Sequence, residues 1–126
     1  MSRRSEELYL LDMLIAARKA LSYVEDVSRT EFDADEILQN AVVRHIPTIG
    51  EASRHIGEAM KSAHPEIPWS SIEGMRHRLV HEYFSINEDK VWEVLQNRLR
   101  PLIALIEPLV PPPEDVTKEN EQEPKS

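Results

Sequence analysis

Apolar residues in the first part of the chain recur at steps of three and four, the spacing of one helix face. Between Ser5 and Val27 the positions Leu8, Leu11, Leu14, Ile15, Leu21 and Val24 follow this pattern without an intervening proline or glycine. Glu6 and Glu7 stand where a helix dipole favours negative charge, so a first helix is predicted over residues 5–27. A second start signal lies at Asp33, with Glu36 three residues on as a capping box and Phe32 placed to pack on Ile37 as a staple. From there Leu38, Val42, His45, Ile49, Ala52, Ile56, Ala59 and Ala63 form an unbroken heptad seam suited to packing along a neighbouring helix. Pro47 removes one backbone donor inside this run; because the seam stays in phase beyond it, a kink is expected there.

The tetrapeptide Ile-Gly-Glu-Ala occurs twice in the seam, at 49–52 and 56–59. Gly50 and Gly57 therefore project from one side. Glycine costs about 1 kcal/mol against alanine inside a helix, so the pair is either a site of close backbone approach or two tolerated glycines. His64-Pro65-Glu66-Ile67-Pro68 breaks the pattern. Ser70 with Glu73 then reads as the capping box of a third helix ending near Phe84. Ser85 or Asn87 caps a fourth, carrying Val91, Trp92, Val94, Leu95 and Leu99 to a kink or restart at Pro101. Leu102, Ile103, Leu105, Ile106 and Leu109 complete the core. The prediction is an all-α, up-and-down bundle of four to five helices.

Length and composition refine this picture. The 126 residues suffice for one domain. Residues 1–110 form the expected helical domain; residues 111–126, Pro-rich, acidic and almost without apolar side chains, are expected to be a disordered tail. The chain has no cysteine, which excludes disulfides and thiolate metal ligands and fits a reducing compartment. It has neither a run of about 18 apolar residues nor an N-terminal signal-peptide pattern, so a soluble cytoplasmic protein without membrane contact is expected. The formal net charge of −8 argues against broad electrostatic binding of nucleic acid. Positive charge is nonetheless concentrated centrally: all five histidines lie between residues 45 and 81, with Arg44, Arg54, Arg76 and Arg78.

The candidate chemistry lies in Met75-Arg76-His77-Arg78-Leu79-Val80-His81-Glu82-Tyr83-Phe84. On an ideal helix Ile72, Met75 and Leu79 form an apolar stripe, with Arg76 and Tyr83 within about 60° of its centre. Arg76 and His81 would sit about 140° apart, so they converge only if the helix distorts or a second chain completes the cleft. Two bland readings stand beside a site: an ordinary charged helix face, and a metal pair at His77 and His81, whose i, i+4 spacing lacks an accompanying HExxH pattern.

Arg76-x4-His81-x-Tyr83, preceded by Ile67-Pro68-Trp69 and Gly74-Met75 and followed by Val91-Trp92, resembles the HEPN-domain ribonuclease toxins of the HepT type. Leu8-Tyr9-Leu10-Leu11-Asp12 and Ile49-Gly50-Glu51-Ala52 resemble the first and second helices of that family, and the likeness spans residues 6–107. The resemblance implies metal-independent RNA cleavage by 2′-hydroxyl attack, without a cofactor. Arg76, His81 and Tyr83 would be catalytic, with His77 and Arg78 supporting. It further implies a homodimer with one motif from each chain facing a shared cleft. A minimal nucleotidyltransferase antitoxin would be the partner, silencing the toxin by adenylylating Tyr83. His77 stands where relatives usually carry asparagine, which implies a modified site. Two other classes compete: a non-catalytic HEPN subunit that assists a nucleotidyltransferase, and a helical dimeric interaction protein.

Because residues 111–126 bring no core, their deletion is expected to leave the melting temperature essentially unchanged. A loss of many degrees in calorimetry would show that the segment docks.

Overall fold

The computed structural model describes residues 5–75, 79 and 86–110. The expected tail and most of the central motif lie outside them. The described residues form an all-α bundle. Helix α1 (Glu6–Ser22) is followed by a short α2 (Arg29–Asp33), a long α3 (Glu36–Ser53), and the short α4 (Glu58–Ala63) and α5 (Trp69–Glu73). A final rod comprises α6 (Glu88–Val94), a π turn (Leu95–Leu99) and α7 (Arg100–Ile106), closed by one 3-10 turn (Glu107–Leu109). Among the described residues no helix is long and apolar enough to cross a membrane.

Helix α1 is the hub, packed on α3 along one side and on α7 and the π turn along another. Two-sided burial gives it a wide apolar arc: Leu10, Met13, Leu14, Ala16, Ala17 and Ala20 are all buried. The predicted face was therefore rotated. Leu14 and Val24 belong to the core, but Leu8 and Ile15 remain 43% and 44% exposed. Alanines let the neighbouring helices approach closely, so the inward face carries the smaller side chains. The helix also ends earlier than Val27. Tyr23 is its C-cap and Asp26 takes φ 61°, a left-handed conformation that turns the chain toward α2.

The start signals are redistributed as well. The reciprocal capping box is Ser28–Glu31: the Ser28 hydroxyl accepts from the Glu31 N–H at 3.1 Å and Glu31 Oε1 accepts from the Ser28 N–H at 2.9 Å. These bonds hold the Glu31 carboxyl below its ordinary pKa. Helix α3 is capped by Asp35, which accepts from the Leu38 N–H at 3.0 Å. Asp33 instead pairs with Arg29 at 2.8 Å. The Phe32–Ile37 staple does not form: Phe32 is fully buried, tilted against Trp92 at 5.4 Å, while Ile37 is 84% exposed. The buried Gln39 amide fixes this corner by donating to the Phe32 and Asp33 carbonyls.

Helix α3 continues through Pro47, and Val42, Ile49, Ala52 and Ile56 of the seam are buried, joined by Ile46. The seam's partner is α1 of the same chain. Its extension to Ala63 is corrected by a turn at Arg54–Gly57; Gly57 is the extended N-cap of α4, and Ala59 and Ala63 are exposed. The two glycines have different surroundings within the chain. A Cβ on Gly50 would lie 3.3 Å from the Ile72 carbonyl oxygen and 3.7 Å from that of Glu73. At Gly57 it would meet only the Glu6 carboxylate, which accepts the Gly57 N–H. Gly50 therefore serves intrachain packing, whereas Gly57 is an exposed helix start.

Helix α5 starts after Pro68 without a side-chain cap, in place of the predicted Ser70–Glu73 box, and ends at Glu73 with Gly74 as C-cap; most of the predicted continuation to Phe84 lies outside the described residues. Asn87 caps α6, accepting from the Lys90 N–H at 3.2 Å, as one of the two expected residues. The restart at Pro101 takes the form of the π turn just before it, consistent with an amide lacking the proton a regular ladder needs.

Gly50→Val is expected to force α5 off α3 and cost about 1–3 kcal/mol, lowering the melting temperature by at least about 4 °C. Gly57→Ser, whose Cβ displaces only the end of a flexible carboxylate, should stay within about 0.5 kcal/mol. Equal effects in thermal melts would refute the assigned backbone contact. A pH effect follows from His45, which stacks on Tyr23 with Nε2 3.1 Å from the phenolic oxygen. Burial, then the nearby charges of Lys19 and Arg44, lower its pKa below the ordinary 6.5. The unfolded chain thus takes up this proton first as pH falls. Stability present above about pH 6.5 is lost on acidification through the lower folded-state value. His45→Gln should reduce the difference in melting temperature between about pH 7.5 and pH 5.

Candidate active site

The residues expected to carry chemistry, Arg76, His77, Arg78, His81 and Tyr83, all lie outside the described residues. Their surroundings are described. The chain enters the stretch at Met75, passes Leu79 and leaves at Ile86 and Asn87. Ile72, Met75 and Leu79, the predicted apolar stripe, are 2%, 4% and 1% exposed. They face the core although α5 stops at Glu73. The Asn87 N–H donates to the Leu79 carbonyl at 2.8 Å, so the same residue caps α6 through its side chain and ties the end of the stretch to Leu79.

Helix α5, which leads into the motif, is braced on three sides. Trp69 donates its Nε1–H to the His64 carbonyl at 3.1 Å, and the Lys61 ammonium lies 5.9 Å from its ring centre. Lys61 also reaches Glu73 at 3.4 Å. From the π turn, Arg98 donates to the Ser71 hydroxyl at 2.8 Å while its Nε stands 3.5 Å from Glu93. On the third side Gly50 admits the α5 backbone against α3.

Between α1, α3 and α5 lies an open cleft of about 590 Å³. Tyr9 and Asp12 line it from α1, and Pro47, Thr48, Gly50, Glu51 and Ala52 from α3. Arg54 and His55 of the following turn and Glu73 of α5 close it. The Tyr9 and His55 rings stack with centroids 4.4 Å apart and planes 10° from parallel. Tyr9 is half-buried and packs on the core, whereas His55 is exposed. Sequence reading did not single these residues out as a site. Two signals were available: Arg54 and His55 belong to the histidine-rich middle of the chain, and Tyr9 and Asp12 lie in a stretch that carries the family resemblance. Among the described residues no three histidine, aspartate or glutamate side chains are grouped to hold a metal ion. The His77–His81 pair lies outside them.

Comparison with known proteins bears on the whole arrangement. The family described as "Ribonuclease HepT-like" matches residues 13–109. The chain is 32% identical over 96 residues to "Putative RNase MJ1380" of Methanocaldococcus jannaschii, covering 76% of this chain and 88% of that protein. It is 33% identical over 107 residues to "Probable ribonuclease HepT" of Thermococcus cleftensis, covering 85% and 97% respectively. A second M. jannaschii protein, "Putative RNase MJ0127", is 29% identical over 121 residues, 96% of this chain and 98% of its own length. No solved structure matches the chain significantly. With the family match running from α1 to the last turn and enclosing the motif stretch, the chain belongs to the HepT-like HEPN ribonuclease family.

Proposed function

We propose that this protein is an endoribonuclease toxin that cleaves RNA without a metal and is held in check by a cognate nucleotidyltransferase antitoxin. The observation that carries this reading is the Arg76-x4-His81-x-Tyr83 motif inside a ribonuclease family match. Its flanks are anchored at Met75, Leu79 and Asn87. Relatives with similar chains bear ribonuclease names.

In the proposed reaction the ribose 2′-oxygen attacks the adjacent phosphorus as its proton is removed. The bond from phosphorus to the 5′-oxygen breaks, and that oxygen takes up a proton. The products are a 2′,3′-cyclic phosphate and a free 5′-hydroxyl; no water or external reactant is consumed. Histidine's ordinary pKa of about 6.5 suits His81 to moving these protons near neutrality. Arg76 offers a planar fork of donors to the non-bridging oxygens as charge builds on the phosphorane. Tyr83 assists through its hydroxyl and is the acceptor for adenylylation, which adds bulk and negative charge beside the reacting groups. His77 and Arg78 support the site. The chain acts in the cytoplasm as a homodimer whose two motifs face one cleft. Exposed Leu8 and Ile15, seven residues apart on α1, supply apolar surface for association.

Purified protein is expected to cleave total RNA in EDTA. His81→Ala and Arg76→Ala should each lower the rate by about 10²–10⁴-fold while leaving the melting temperature nearly unchanged. Arg76→Lys should be severe too, because the bidentate fork is lost. Tyr83→Phe separates its roles. A variant that still cuts RNA but gains no AMP on coexpression with the nucleotidyltransferase identifies Tyr83 as the acceptor, and lost cleavage identifies a catalytic hydroxyl. Wild-type protein inert toward RNA would refute the enzyme reading and leave the non-catalytic HEPN subunit in its place, and activity that persists in His81→Ala would remove His81 from the reaction.

A further inference from the structure

The cleft between α1, α3 and α5 has a chemistry of its own. Among the described residues its lining carries three carboxylates, Asp12, Glu51 and Glu73, and one guanidinium, Arg54. Arg54 already stands 3.6 Å from Glu51, and Glu73 is engaged by Lys61. Such a surface offers acceptors, and an ionised carboxylate can only accept, so a fitting ligand brings N–H donors. The Tyr9–His55 pair adds a flat aromatic platform. With one face of the exposed His55 on Tyr9, a planar ring can continue the stack outward.

From these features we propose that the cleft is a nucleobase subsite, which stacks an unpaired base of the RNA on His55 and reads its donor edge with Glu51. This rests on the ribonuclease reading for its substrate class. Glu51 is the suitable reader for two reasons. It lines the same cleft as His55. Its bond to Arg54 is long and both partners are about two-thirds exposed, so the carboxylate can leave it at little cost. Guanine presents two adjacent donors, N1–H and the N2 amino group, which match the two oxygens of one carboxylate. Adenine and cytosine present a single amino group. Uracil presents one imino N–H between two carbonyls that face the carboxylate with like polarity. The order is therefore guanine first and uracil last.

The platform is preorganised. His55 and Ile56 donate their amides to the Ala52 and Ser53 carbonyls at 3.1 and 3.2 Å, and the Glu6 carboxylate accepts the Gly57 N–H. The turn that presents His55 is thus tied both to the end of α3 and to the first turn of α1. Glu73, on the cleft wall, precedes Arg76 by three residues, a distance of at most about 11 Å of extended chain.

The test is an NMR titration of the full chain with GMP, AMP, CMP and UMP, whose common phosphate leaves only the base to vary, and with inorganic phosphate alone. The expected result is a saturable shift of the His55 and Tyr9 ring protons by GMP, with UMP binding at least about 5-fold more weakly and phosphate leaving those protons unmoved. His55→Ala should weaken GMP at least about 5-fold, and His55→Phe should restore it, which a purely structural role for the imidazole would not predict. Glu51→Gln should bring GMP and UMP to near-equal affinity. Arg76→Ala should leave the ranking of GMP over UMP unchanged, separating this subsite from the proposed catalytic group. If RNA is cleaved but no nucleotide moves the His55 ring, or if phosphate matches GMP, the subsite is overturned and the ribonuclease reading stands. If GMP binds with the expected ranking and RNA is never cleaved, the subsite stands and the catalytic reading falls.

Discussion

The missing side chain at Gly50 sets the position of much else in this molecule. Because no Cβ stands there, the carbonyls of Ile72 and Glu73 lie directly against α3. Helix α5 is thereby pressed inward, which buries Ile72 and directs the chain toward Met75. Gly50 and Glu73 also line the same cleft, so the contact that seats α5 shapes the walls above the Tyr9–His55 stack. A larger residue would move the approach to the motif and the candidate subsite together. The remaining braces on α5, from Arg98 to Ser71 and from Lys61 to Glu73, are partly exposed polar contacts of modest strength. They align the helix; the close backbone contact sets how near it comes.

Helix content and bundle architecture were legible in the chain because period and polarity agree over long runs. Faces and boundaries were less so, for physical reasons that differ from place to place. On α1 the large aliphatic residues suggest one stripe, yet Leu8 and Ile15 face outward while Ala16, Ala17 and Ala20 face in. Hydrophobicity alone does not register that a central helix favours small residues where two neighbours close on it. At the start of α3 two acidic residues compete for the cap, and Arg29 decides the outcome by pairing with Asp33 and leaving Asp35 as cap. The heptad seam was read correctly as a packing surface through Ile56, but its phase could not reveal that the backbone turns after Ser53. The glycine repeat splits the same way: Gly50 meets a backbone, whereas Gly57 opens a new helix.

The site divides along another line. Arg76, His81 and Tyr83 stand out in sequence because unusual side chains are grouped at fixed spacing, and such a signal is local. Tyr9, Glu51 and His55 come from separate parts of the chain, so only the packing of α1 on α3 brings them together. The net charge of −8 likewise hides the local contrast between the cation-rich motif stretch and the carboxylate-lined cleft. In the proposed reading, phosphate and base recognition would be assigned to surfaces of opposite polarity.

The tie between Glu6 and Gly57 bears on where the physical unit begins. The family match starts at residue 13, but the first two turns of α1 belong to the same folded unit. They supply the buried Leu10, the Tyr9 half of the aromatic pair and a carboxylate that anchors the start of α4. A fragment cut at the edge of the similarity would retain the motif yet lose both an apolar plug and the clamp on the His55 turn. The edge of the family match and the mechanical boundary differ here by two helical turns, and only the longer unit keeps both of these contacts with α1.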